Sequence, residues 1–546
     1  MKKYLFVVIS LLCFYSTSKA QSNSFEVIKS MELMDLIYMN LEKYYVDEPN
    51  TGELSKTSID AMLRALDPYT VYYHEANIED FRMMNTGQYG GIGATIRKVG
   101  EYTIITEPYK GNPAYNAGLE AGDIILSIDG RDMKNRSSEE VSNALKGLKG
   151  SEVIVQYKRP DVGEGEAKII RDEIKLPDVP YSGMIDDKVG YIALNSFTQT
   201  ASANVSKAFQ SLKQEGMESL VLDLRNNGGG LLMEAVKIVN MFVPKGQVVV
   251  STKSRVKEEN RVYVTQQDPL DLEIPLVVLI NEGSASASEI VSGTLQDLDR
   301  AVVVGRTSFG KGLVQRTVDL KYGSKMKLTI AKYYTPSGRC VQKLDYSNKV
   351  DGQVDEVPDS LLQIFYTKNG REVIDGRGIE PDISVEGENM SRLAAMLLAK
   401  NIIFDYATHY KHKHDSIAAP EEFVLSDKAY DEFIAFALSK EFSYNTASEE
   451  KMKEVVEVAK MEGYFESTEK EIEALLAALK PSKKEDLIRF KTQIKEMLQN
   501  EIVARYYYQE GRVLNSFISD KSLEKAMEVL NNEKLYNSTL HINVKK

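Results

Sequence analysis

The residues of this chain that could do chemistry fall in three stretches of small and polar residues. The first is Asn281-Glu282-Gly283-Ser284-Ala285-Ser286-Ala287-Ser288-Glu289, set between the apolar run 275–280 (PLVVLI) and an apolar-periodic segment, 289–298. Those flanks predict a buried strand and a helix, which puts the serines at a strand-to-helix turn. A hydroxyl held there is exposed, and it lies beside the unpaired N–H groups of the helix start, which can stabilise a developing oxyanion. A serine nucleophile needs a base, and histidine is the usual one. The histidines are His74, His409, His412, His414 and His541, so a Ser-His-Asp arrangement within the central part of the chain is excluded. The remaining option is a lysine kept neutral by burial. The second stretch, Thr307-Ser308-Phe309-Gly310-Lys311-Gly312-Leu313-Val314-Gln315, offers Lys311 between two glycines that permit close approach. Free lysine titrates near about 10.4, so a basic lysine calls for desolvation, and a dry pocket is expected around Lys311. The third stretch, Arg225-Asn226-Asn227-Gly228-Gly229-Gly230, follows the apolar run 220–224.

These loops need a rigid frame, and the pattern around them supplies one. Runs at 189–194, 220–224, 275–280 and 301–305 read as strands, and segments at 201–216, 231–242 and 289–298 read as helices. Alternation of this kind predicts an α/β sheet with its functional loops at the C-terminal ends of the strands. Upstream, from Gly87, short alternating runs and glycines replace a helical N-terminal region. Gly90-Gly91-Ile92-Gly93 enters a strand, and Ala121-Gly122-Asp123-Ile124-Ile125-Leu126-Ser127-Ile128-Asp129-Gly130 follows. This segment resembles a PDZ domain of the bacterial protease type. Backbone N–H groups of Gly91, Ile92 and Gly93 can form a nest for the terminal carboxylate of a peptide, which then adds to the following strand edge. From 389 onward the chain reads as helical and charged. Thr468 and Glu471 have capping-box spacing ahead of Ile472, Leu475, Leu476 and Leu479, and a long helix is expected from 484 to about 509. This part carries no catalytic constellation and is read as a packing or interaction domain, a surface for a second copy of the chain or an adaptor.

The 546 residues imply several domains, and the net charge of −12 argues against nucleic acid as a partner. Residues 1–20 combine a basic start, an apolar stretch and a small-residue end, the pattern of a cleavable export signal, so a periplasmic or cell-envelope location is expected. Leu12 rather than a small residue precedes Cys13, which favours cleavage over a lipoprotein anchor. After cleavage Cys340 is the one cysteine left, so no intrachain disulfide can form.

Taken together, the motifs resemble the C-terminal processing proteases, also called tail-specific proteases. The likeness spans roughly 25–385. It rests on Leu66-Asp67-Pro68-Tyr69, the PDZ-like segment, Leu222-Asp223-Leu224-Arg225-Asn226-Asn227-Gly228-Gly229-Gly230, the serine run and the lysine loop. Tyr334-Thr335-Pro336-Ser337-Gly338-Arg339 and Gly376-Arg377-Gly378-Ile379-Glu380-Pro381-Asp382 extend it. The resemblance implies Ser286 as nucleophile, Lys311 as general base, Gln315 as the residue orienting that lysine, and the N–H groups of Gly229 and Ala287 as oxyanion donors. It implies no metal or organic cofactor, and substrates that are proteins or peptides with free C-termini. Gly228 departs from the family, which has proline there. A scaffold that binds tails without cutting them is the competing reading, and the joint presence of Ser286, Lys311 and Gln315 favours an enzyme. The expected layout is multidomain α/β: signal 1–20, N-terminal helical region 21–87, PDZ-like domain 88–174, α/β peptidase domain with a β-rich part 175–388, and C-terminal helical domain 389–546.

Overall fold

At the centre of the computed structural model is a six-stranded sheet ordered as the chain runs: Tyr181–Met184, Val189–Ala193, Ser219–Asp223, Leu276–Ile280, Val302–Gly305 and Ile383–Ser384. The first pair is antiparallel and every later pair is parallel. The structure describes residues 24–74, 82–83, 85–349, 353–387, 390–480 and 482–542; the expected signal at 1–20 and the boundary at 388/389 lie outside them.

Sequential parallel strands joined by right-handed crossovers place their helices on one face of the sheet. Ala201–Gln214, Leu232–Asn240 and Ala287–Asp297 are those helices, and they bury Leu220, Leu222, Leu276, Val278, Ile280 and Val303. The strand residues between these point the other way, because side chains alternate along a strand. Val189, Tyr191, Val221, Val277, Leu279, Val302 and Val304 therefore need a second cover. It comes from the far end of the chain: Leu523, Ala526 and Val529 of the helix Lys521–Leu530, together with Leu540, seal that face.

The PDZ domain is a five-strand sheet, Ala94–Val99, Tyr102–Pro108, Ile124–Ile128, Glu152–Arg159 and Gly163–Ile170, with the short strand Arg131–Asp132 alongside. Its helix Ser138–Leu145 begins with a capping box, Ser137 and Glu140 each bonding the other's backbone N–H. Ile92, Ile105, Ile125, Val153, Val155 and Leu145 fill its core.

The C-terminal helices have a separate core, in which Leu393, Leu397, Ile403, Phe433, Leu498 and Ile502 are buried. The helices Ala447–Glu462 and Phe465–Leu479 bury no residue. The expected capping box at Thr468 is not formed. Gly463, at φ 78°, ends the preceding helix and Tyr464 already caps the next, so Thr468 lies inside it and its hydroxyl donates to the Tyr464 carbonyl at 2.9 Å. The long helix expected from 484 is two helices, Lys483–Arg489 and Lys491–Ser516, the second interrupted at Tyr508 (φ 56°, ψ −150°).

Residues 24–74 and 315–329 form a second compact unit, distinct from the rest. Residues 24–44 and Thr51–Arg64 are helical, as the periodicity predicts. The turn that Leu66-Asp67-Pro68-Tyr69-Thr70 predicts forms at Asp67, whose Oδ1 accepts the N–H groups of Tyr69 and Thr70, both at 2.8 Å, and the helical expectation for the region fails only after it. That turn launches the strand Val71–Tyr73, paired antiparallel with 325–327.

Candidate active site

Ser284, Ser286 and Ser288 look alike in the sequence and differ in the structure. Ser284 is fully buried and its hydroxyl donates to the Leu224 carbonyl at 2.8 Å; Ser288 is fully buried and donates to the Asn227 carbonyl at 2.8 Å. Ser286 alone is partly exposed. It caps the helix Ala287–Asp297 with φ 57° and ψ −110°, a left-handed conformation costly for a residue with a Cβ. A strained residue on a strand-to-helix turn projects its side chain out of the element, as nucleophilic serines require.

The glycine loop meets this turn. A Cβ on Gly229 would lie 2.6 Å from Ala285 O, 2.8 Å from Ala287 N and 2.9 Å from Ser286 Cβ, so only glycine fits at this φ of +96°. Asn227 holds the loop in place. Its carbonyl accepts from Ala285 N at 3.0 Å and its Nδ2 donates to the Leu194 carbonyl at 2.6 Å. Its Oδ1 accepts from Gly229 N at 2.9 Å, so one of the two expected oxyanion donors is already engaged. The other, Ala287 N–H, has no acceptor among the described residues. Gly228, the departure from the family pattern, has open space where a Cβ would stand and a φ outside the left-handed region, so nothing here requires glycine.

The lysine loop is fastened to the serine turn through Glu289, a fully buried carboxylate. Oε1 accepts from Ser308 Oγ at 2.6 Å and Gly310 N at 2.7 Å; Oε2 accepts from Ser286 N at 2.8 Å and Lys311 N at 2.9 Å. One carboxylate thus binds the backbones of both residues singled out for catalysis. Burial pushes the Glu289 carboxyl up from its ordinary range, against the downward pull of those four donors. Phe309 N also donates to Ser284 O at 3.0 Å, and the Tyr333 hydroxyl donates to Ser286 O at 3.2 Å. Lys311 is half-buried: its neighbour Phe309 is exposed, whereas Ser308, Gly310, Gly312 and Leu313 are buried, so the expected desolvation of the lysine is partial. Gln315 lies in the strand Leu313–Asp319, within the second unit, where its Nε2 donates to Thr329 Oγ1 at 3.2 Å.

Sequence reasoning missed Glu289, Asn227 and Tyr333. Glu289 carried a signal, the Ser-x-x-Glu spacing from Ser286 that marks a capping box. Arg339 and Asp382, from the two further motifs, serve the far end of the same helix, where Asp382 Oδ1 accepts from Gln296 Nε2 at 2.8 Å. Arg339, buried, donates to Gln296 Oε1 at 2.7 Å and Asp297 Oδ1 at 2.8 Å, and Arg371 bridges Asp299 and Asp382.

In the PDZ domain, Gly91 ends the strand Gln88–Gly91, opposite Asp172. The carbonyls of Ile92 and Gly93 accept from Ala114 N at 2.7 Å and Tyr109 N at 2.9 Å, while their own N–H groups have no acceptor among the described residues. They open beside a cavity of about 260 Å³ lined by Tyr89, Ile92, Ile96, Tyr109, Leu145 and Lys146.

Residues 188–350 match the model of peptidase family S41, residues 104–159 a PDZ domain, and residues 393–530 the model described as probable PDZ-protease, C-terminal helical domain. Fold and matches together set a segment like peptidase family S41 beside a PDZ domain and a helical C-terminal part. The chain is similar to CtpA-like serine proteases, of which it spans less than two thirds of the length. A probable CtpA-like serine protease of Staphylococcus aureus (strain MRSA252) is 36% identical over 315 residues, which is 57% of this chain and 62% of that relative's length. Among solved structures, the photosystem II D1 C-terminal processing protease is 28% identical, with 65% of this chain and 87% of that one covered at a TM-score of 0.37. The PDZ domain of a carboxy-terminal protease from Vibrio cholerae, solved in complex with peptide, is 31% identical over 16% of this chain and 99% of that one, at a TM-score of 0.16.

Proposed function

We propose that the chain is an exported serine endopeptidase that captures the free C-termini of unstructured proteins in its PDZ domain and hydrolyses peptide bonds with Ser286 and Lys311. The observation that carries this reading is the Glu289 carboxylate, which accepts from the backbone N–H of both residues and so fixes the serine turn and the lysine loop to each other. Neutral Lys311 removes the Ser286 proton, and Ser286 Oγ attacks the substrate carbonyl. The oxyanion that forms lies against Ala287 N–H, with Gly229 N–H as second donor once Asn227 Oδ1 releases it. Lys311, now protonated, gives its proton to the departing amine, and water attacks the acyl-enzyme by the same route in reverse. The nest at Gly91, Ile92 and Gly93 receives the substrate carboxylate, and the apolar cavity beside it receives the last side chain. The basic, apolar, small-residue pattern of 1–20 supports export to the periplasm or cell envelope.

The test is Ser286→Ala in the mature chain, assayed on an unstructured peptide. We expect turnover to fall by about 10³-fold or more while the peptide still binds. Turnover near the wild-type rate would remove Ser286 from the nucleophile role.

A further inference from the structure

Arg225 stands between the strand Ser219–Asp223 and the loop that carries Gly229, and its guanidinium is held on two sides. On one side, Nε lies 3.0 Å from both oxygens of Asp223 and Nη2 lies 2.6 Å from Oδ2. On the other, Nη1 donates to Asp520 Oδ1 at 2.8 Å and Nη2 lies 2.6 Å from Asp520 Oδ2. The three side chains are 19%, 10% and 9% exposed, so this is a largely desolvated cluster with a planar fork gripped by two carboxylates. The Tyr191 hydroxyl adds a 2.5 Å bond to Asp223 Oδ2.

Asp520 comes from the C-terminal part of the chain, nearly 300 positions away. It is the N-cap of the helix Lys521–Leu530, and its Oδ1 accepts from Ser522 N and Leu523 N, both at 3.0 Å. Leu523, Ala526 and Val529 seat that helix on the open face of the central sheet, so the cap is placed by an apolar interface rather than by a mobile surface contact.

From Arg225 the restraint passes directly to the site. The next residue, Asn226, exchanges two bonds with Asn281: its N–H donates to Asn281 Oδ1 at 2.8 Å, and Asn281 Nδ2 donates to Asn226 Oδ1 at 3.0 Å. Asn281 Oδ1 also accepts Gly283 N at 3.0 Å, within the turn that leads to Ser286. Asn227 then holds Ala285, Ser288 and Gly229.

We propose that Asp520 is a positioning residue for peptide-bond hydrolysis: by clamping Arg225 it sets the 226–229 loop against the Ser286 turn, so the C-terminal segment completes the active site. This rests on the reading that Ser286 carries the reaction. An oxyanion site displaced by a fraction of an ångström loses transition-state stabilisation without losing substrate binding, so the effect belongs to kcat.

The experiment compares the full mature chain with Asp520→Asn, Asp520→Ser and Asp520→Glu on one unstructured peptide, with thermal unfolding measured in parallel. Asn and Ser both cap helices well, so helix and fold are retained, while neither returns a carboxylate to Arg225. We expect kcat to fall roughly 10- to 100-fold in both variants at a temperature where each is fully folded, with KM within about twofold, alongside a lower melting temperature from the carboxylate lost beside Arg225. Asp520→Glu should recover part of kcat. A kcat within twofold of wild type in the Asn and Ser variants overturns the proposal. So does a kcat loss that only follows a lowered melting temperature in all three, which would mark Asp520 as a helix cap and nothing more. Ser286→Ala in the same assay keeps the two assignments apart: activity there sinks the nucleophile, whereas an inactive Ser286→Ala beside fully active Asp520 variants sinks the clamp alone.

Discussion

Three serines in five residues differ only in what their hydroxyls are bound to, and this sets what each substitution does. Ser284→Ala and Ser288→Ala each remove a buried hydrogen bond to a carbonyl of the 224–227 segment. An acceptor left unpaired there costs about 1–3 kcal/mol. Both variants should therefore melt earlier yet keep cleaving peptide below their melting temperatures. Complete inactivity of a folded Ser288→Ala would show that its hydroxyl does more than hold the loop. At Lys311 the chemistry separates two cations. Lys311→Arg keeps the charge but a guanidinium stays protonated and cannot take the serine proton, so this variant should be as inactive as Lys311→Ala. Measurable turnover by the arginine variant would rule out general-base catalysis at this position.

The helix Ala287–Asp297 is the element that organises the site, and Glu289 in its first turn is the joint between two loops. Glu289→Gln keeps the shape but turns an amide NH2 toward backbone N–H donors that need an acceptor. Each donor left unpaired costs about 1–3 kcal/mol. We expect a lower melting temperature and a fall in kcat larger than any change in KM. A variant with normal kcat would show that the Glu289 tether is not needed for catalysis. Burial holds this carboxyl above its ordinary range, so the folded state binds its proton more tightly than the unfolded chain does. The contribution of Glu289 to stability therefore falls as pH rises from the ordinary carboxylate range through the raised value. Melting temperatures of wild type and Glu289→Gln across acid pH should converge upward, the wild type losing its advantage as pH rises. A gap that widens with pH would mean that the four donors outweigh burial.

At the scale of the molecule, the PDZ domain meets the C-terminal helices through polar contacts and a few ring contacts, among them Tyr115 edge-on to Tyr508. Asp161 Oδ2 lies 3.0 Å from His409 Nδ1, Glu107 is 3.4 Å from Arg512, and Arg97 reaches Asn401. His409 beside Asp161 holds that carboxyl below its usual range. The helix Lys521–Leu530 is attached to the peptidase sheet by apolar packing instead. Polar contacts of this kind weaken with salt and allow rearrangement, whereas a buried apolar interface does not. Amidating the C-terminus of a peptide substrate removes the charge that the Ile92 and Gly93 N–H groups would bind, and KM should rise. If tail capture also moves the domain, turnover at saturating peptide falls too, because only a ligand that prefers one state shifts the balance. Equal saturating rates for free and amidated peptides in the intact chain would leave tethering as the PDZ domain's whole role.

The sequence by itself determined the class of the central fold, since parallel buried strands leave continuous apolar runs and crossover helices leave their period. It also picked out the loops that the fold brings together, although the contacts that leave no room for a side chain at Gly229 and Gly310 come from Ala285–Ala287 and from Val341 and Lys343, far along the chain. The resemblance in motif order placed Ser286 and Lys311. Only the tertiary structure gave the physical reason that sets Ser286 apart from Ser284 and Ser288, because the hydroxyls of the other two are bonded to carbonyls about 60 positions away. The division at 389 illustrates the same limit. Residues 521–540 have the helical period of the segment before them, yet they pack on the peptidase sheet rather than in the helical core. Periodicity tells that a helix has an apolar face. What covers that face is decided by the sheet, whose right-handed crossovers all fall on one side and leave the other to the end of the chain.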